Sequence, residues 1–95
     1  MSGATWTPWG IAQSRTDVGD GILWVSTASH GGYFVPDRLL GRIPAEGQAF
    51  AARWSGSPNW FEEDCAWAYV ALGFPEFFPA GAVADARLIV GNRAV

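Results

Sequence analysis

Two β-compatible runs near the N-terminus, residues 11–18 and 22–27, flank Gly19-Asp20-Gly21, which supplies the positive φ that a tight reversal needs. The pattern predicts a β-hairpin. In the second run Ile22, Trp24 and Ser26 share one face and Leu23, Val25 and Thr27 the other. Both faces are largely apolar, as expected of a central strand. A third short strand, residues 33–35, is expected after a turn at residues 29–32. Upstream, Pro8 and Gly10 exclude regular structure from residues 1–10, whereas Trp6 and Trp9 are too large to stay in water and should pack back on the domain.

Helical signals take over after Pro36. Asp37 is placed to cap a short helix over residues 38–42 that Pro44 ends, and the Ala-rich stretch 45–54 resumes helical character, weakened by Gly47. The loop Ser55-Gly56-Ser57-Pro58-Asn59 leads into the strongest predicted helix, residues 60–72. Its start is read either as Ser57 with Pro58 at the first helical position or as Asn59 with Glu62 closing a capping box. Phe61, Cys65, Ala68 and Leu72 recur at helical spacing, with Trp60, Trp67 and Ala71 widening the stripe, so this helix should lie across the sheet. Gly73-Phe74-Pro75 stops it, and residues 82–90 form a last helix ending at Gly91. The pattern as a whole reads as one α+β domain over residues 1–95, a three-stranded antiparallel sheet packed by two to four helices.

Composition narrows the function. The chain of 95 residues has a net charge of −3 and no lysine, all six of its cations being arginine. Lysine-dependent chemistry is excluded, and without a stripe of cations to displace counterions neither direct nucleic-acid binding nor adsorption to an anionic membrane is expected. A single cysteine forms no internal disulfide, no stretch has the length of a membrane span, and the N-terminal residues lack the pattern of a secretion signal, so a cytoplasmic protein is expected.

Candidate chemistry gathers in two motifs, Ser29-His30-Gly31-Gly32-Tyr33 and Trp60-Phe61-Glu62-Glu63-Asp64-Cys65-Ala66-Trp67, which hold the only histidine and the only cysteine. If the fold joins them, His30, Tyr33, Glu62, Glu63 and Asp64 form a binding site. His30 is read as a general base beside outward-pointing N–H groups of the glycines or, with greater weight, as a residue fixing its own turn by side-chain hydrogen bonding. Cys65 is read first as a small core residue, since three neighbouring acids disfavour a thiolate. In an enzyme it would be the nucleophile, with His30 as its base. An acid of the second motif buried against Arg15, Arg38 or Arg53 would account for the flanking tryptophans. No His or Cys pair has metal-ligand spacing and the phosphate-loop residues are missing, so neither a metal nor a cofactor is expected.

Together with Thr7-Pro8-Trp9-Gly10 and Ala71-Leu72-Gly73-Phe74-Pro75-Glu76, the two motifs resemble a family of uncharacterised domains found in proteins of bacterial plasmids, prophages and other mobile elements. The resemblance implies a small product of a mobile element. In that setting an acidic module with abundant tryptophan and arginine as its only cation is expected to be a non-enzymatic binding protein, a monomer or weak homodimer. Its expected partner is a host defence protein, which it inhibits in an anti-CRISPR-like or anti-restriction-like manner. The alternatives are a small Cys65/His30-dependent hydrolase or transferase and an accessory domain normally fused to an enzyme.

Overall fold

The computed structural model describes residues 6–93. Strands β3 (Ser14–Gly19) and β4 (Ile22–Ser26) form the predicted hairpin, paired from Ser14 opposite Ser26 to Gly19 opposite Ile22. Asp20 and Gly21 at its tip have φ of 58° and 91°. The Asp17 carboxylate accepts the Gly19 N–H at 2.8 Å, where the register shifts by a bulge. Strand β5 (Gly31–Phe34) follows antiparallel to β4, which is central as its two apolar faces require.

The sheet has a fourth strand where three were expected. Residues Trp60–Glu62, assigned by periodicity to the start of a long helix, form β6 and pair antiparallel with β5, so that Gly32 faces Glu62, Tyr33 faces Phe61 and Phe34 faces Trp60. Its sheet order is β3-β4-β5-β6. Asn59 caps no helix. Its side chain donates to the Val35 carbonyl and the Asp37 carboxylate, both at 2.8 Å, and its own carbonyl accepts the Val35 N–H at 2.8 Å, holding the end of β5 beside the start of β6.

A second departure lies at the N-terminus, where Pro8 and Gly10 occupy a small hairpin between β1 (Trp6–Thr7) and β2 (Gly10–Ile11). The Thr7 hydroxyl closes it by donating to the Gly10 carbonyl at 2.6 Å and accepting the Trp9 N–H at 3.1 Å. Trp9 packs back as expected, edge-on against Trp60 with ring centres 5.8 Å apart. Trp6 does not, being 73% exposed.

Between β5 and β6 run a 3-10 turn (Asp37–Arg42) and helix α1 (Ala45–Ser55). Gly56, in the left-handed region at φ 84°, ends α1 by donating to the Ala52 carbonyl. Gly47 serves packing here, since a Cβ on it would stand 2.6 Å from Tyr69 Cδ1. Helix α2 (Trp67–Gly73) is half the predicted length, and a 3-10 turn at Pro75–Phe77 leads to α3 (Ala80–Arg93), which runs through Gly91 rather than ending there. Ala68, Ala71 and Ala86 are fully buried where α2 and α3 meet, their small side chains letting the two backbones approach.

Strand alternation places Leu23, Val25, Gly32, Phe34, Trp60 and Glu62 on one face of the sheet and Trp24, Tyr33 and Phe61 on the other. The second face joins the main core, in which Phe61 is fully buried with Phe50, Tyr69, Val70 and Phe74. Gly31 and Gly32 are set by close approach on either side. A Cβ on Gly31 would lie 2.9 Å from the Trp24 ring, and one on Gly32 would lie 2.9 Å from Trp9 Cζ3 and 2.5 Å from the Phe61 carbonyl oxygen. Phe61→Ala is accordingly expected to cost about 3–5 kcal/mol and Gly32→Ala about 1–3 kcal/mol. Equilibrium urea unfolding checks both. A wild-type midpoint for Gly32→Ala would contradict the packing described for β5.

Candidate functional site

The β5–β6 pairing makes the two chemical motifs neighbours. Gly32 lies opposite Glu62, and the Glu63 N–H donates to the Gly31 carbonyl at 2.9 Å, so the chain leaving β6 stays bonded to the start of β5. His30 immediately precedes that start. Its turn is fixed by Thr27, whose hydroxyl donates to the His30 carbonyl at 2.9 Å and accepts the His30 N–H at 3.1 Å. The bonds that hold the turn thus involve the His30 backbone rather than its imidazole, and His30 is exposed.

Glu62 shapes the other wall. Its Oε2 accepts the Asp64 N–H at 2.9 Å, and its Oε1 accepts the N–H groups of Cys65 and Ala66, each at 2.7 Å. One carboxylate therefore satisfies three consecutive donors of the turn at residues 63–66 and caps the approach to α2, a stronger arrangement than bonding between neutral groups. No arginine is needed to hold it. The expectation of an acid buried against an arginine fails: among the described residues no charged side chain is buried, Arg38 pairs with Asp20 at 4.0 Å, and Arg42 pairs with Glu76 at 2.8 Å.

Two adjoining hollows open beside this turn. One, of about 270 Å³, is lined by Trp9, His30, Trp54, Glu62 and Asp64. The other, of about 210 Å³, is lined by Phe50, Trp54, Glu62, Asp64 and Cys65. Trp54, Glu62 and Asp64 line both, forming a shared wall. Of the residues singled out from sequence, His30, Glu62 and Asp64 meet in the larger hollow, and Cys65 lines the smaller one while packing against the main core. Glu63 is exposed beside them and lines neither. Tyr33 points away, its ring packed at steep angles against Trp24 and Phe78 at centroid distances of 5.0 and 5.4 Å.

Sequence reasoning missed Trp9 and Trp54 as site residues. The spacing of Phe50 and Trp54 places them on one side of α1, and their rings lie 6.2 Å apart, yet Phe50 is buried while Trp54 is 63% exposed. A tryptophan closing a helix directly before a Ser-Gly-Ser-Pro loop was the available signal. Among the described residues no group of three or more His, Cys, Asp or Glu is arranged to hold a metal ion, and no helix is long and apolar enough to cross a membrane.

The fold is thus an α+β domain carrying a cleft with aromatic and acidic walls at one end of its sheet. By sequence the chain belongs to the family described as Domain of unknown function (DUF7007), whose family model matches residues 2–93. No curated protein and no solved structure matches it significantly.

Two outcomes separate scaffold from site. Glu62→Ala leaves three N–H groups without their acceptor and is expected to cost about 1–3 kcal/mol, whereas exposed Asp64→Asn should stay within about 0.5 kcal/mol of wild type in urea unfolding. Equal destabilisation by both would refute the division of roles. Burial pushes the Tyr33 phenol above its ordinary value of 10.0. The folded state therefore keeps the proton to higher pH than the unfolded chain, so this contribution to stability is intact below pH 10.0 and is lost as pH rises through the folded value. Tyr33→Phe should shallow the alkaline decline in melting temperature above pH 10.0 and leave its acid side unchanged.

Proposed function

We propose that this chain is a non-enzymatic binding protein of a mobile element, and that it blocks a host defence complex, such as a CRISPR effector or a restriction enzyme, by docking through the double cleft. The carrying observation is the convergence of the Ser-His-Gly-Gly and Glu-Glu-Asp-Cys motifs on one concave surface beside an exposed tryptophan, Trp54. Exposed, partly framed tryptophans are typical anchors of protein interfaces. The net charge of −3 favours a basic partner face, and the resemblance to domains of plasmid and prophage proteins supplies the setting.

The reading is tested by transforming plasmids into strains that carry a defined CRISPR or restriction system, with and without this protein. Expression should raise transformation efficiency against at least one system, and Trp54→Ala should abolish the gain at an unchanged melting temperature. Cys65→Ser should retain the gain wherever it folds. No protection in any tested system would refute the defence role, and a folded Cys65→Ser variant without effect would turn the reading toward thiol chemistry.

A further inference from the structure

We propose that the double cleft receives two nearby side chains of one partner polypeptide: an arginine in the hollow between Trp9, His30 and Trp54, and an apolar residue in the hollow over Phe50 and Cys65. The inference rests on the binding reading above and gives it a chemistry. Size comes first. At about 270 and 210 Å³ the hollows fall below the roughly 300–1,000 Å³ of pockets for cofactors and drug-sized ligands, and each suits a single side chain. Sharing the wall of Trp54, Glu62 and Asp64, they sit as neighbouring positions on one peptide would.

Charge and ring chemistry then assign the occupants. Neither hollow is lined by an arginine of this chain, while both are lined by two carboxylates. Glu62 has committed both oxygens to the turn at residues 63–66, which fixes its charge in place. Asp64 is exposed, and among the described residues its carboxylate takes part in no hydrogen bond or ion pair, leaving it open to a bidentate contact. The larger hollow adds two indoles to that carboxylate. A planar guanidinium can stack on an indole and chelate a carboxylate at once, whereas an ammonium cannot do both in the same way. In the smaller hollow the buried Phe50 ring and the Cys65 side chain present apolar surface, which suits an aliphatic or aromatic neighbour.

The test selects a phage-displayed random heptapeptide library on the immobilised full chain, then measures synthetic versions of the recovered peptides by fluorescence anisotropy. Enrichment of arginine at one position, with an apolar residue one to three positions away, is expected. Replacing that arginine by citrulline, or introducing Asp64→Asn or Trp54→Ala into the protein, should each weaken binding by about tenfold or more. Higher salt should weaken the wild-type complex more than the Asp64→Asn complex. Both residues are exposed, and unchanged melting temperatures will show that the variants fold. The proposal is overturned if no arginine position is enriched, if citrulline peptides bind equally, or if agmatine alone binds as tightly as the peptides. The last result would mark a site for a free cationic small molecule. Peptide binding that depends on Asp64 and Trp54, found without protection in the transformation assay, would uphold the site and remove only the defence role.

Discussion

One carboxylate governs how the second half of this chain is laid out. Glu62 is the last residue of β6, and by accepting the N–H groups of Asp64, Cys65 and Ala66 it ends the strand, forms the turn and delivers the chain to α2 at Trp67. Each donor would otherwise leave the sheet without a partner. The same bonds position Asp64 on the cleft wall and tuck Cys65 against the core. Scaffold and site therefore meet in a single side chain.

A second constraint acts across the strand pair. Gly31 and Gly32 read in sequence as turn residues with outward-pointing N–H groups, yet in the fold they are strand positions where rings lie on the backbone, Trp24 on one side and Trp9 on the other. Strand glycine usually weakens a sheet, and here the loss is offset by aromatic surface that no larger residue would admit. Trp9 in turn meets Trp60, which packs on Phe34 at 4.9 Å. The N-terminal hairpin is thereby fastened over the face of the sheet that carries Glu62.

What the sequence disclosed follows from the range of the interactions involved. The Gly19-Asp20-Gly21 hairpin, α1 and the stop at Gly73-Phe74-Pro75 are written in local turn chemistry, and they stand close to where the pattern placed them. Residues 60–62 misled because Phe61, Cys65, Ala68 and Leu72 keep helical spacing, although Phe61 faces the core from a strand and Cys65 from a turn. Only the pairing with β5, remote in sequence, distinguishes the two readings, and periodicity does not see it. Convergence of the His30 and Glu62 motifs could be posed from sequence as a condition, but its geometry depended on that same pairing. Trp54 went unnoticed for a different reason: a large apolar side chain reads as core until its exposure is known.

The order of strands also bears on when the cleft comes into being during folding. β3, β4 and β5 are joined by short turns and associate through local contacts, whereas β6 must close a loop that contains the first 3-10 turn and all of α1. His30 stands on the early side of that closure and Glu62, Asp64 and Trp54 on the late side. A chain that has built its hairpins but not seated its last strand has neither hollow. Both hollows are thus properties of the completed domain, and the partner docking proposed above requires the last strand to be seated.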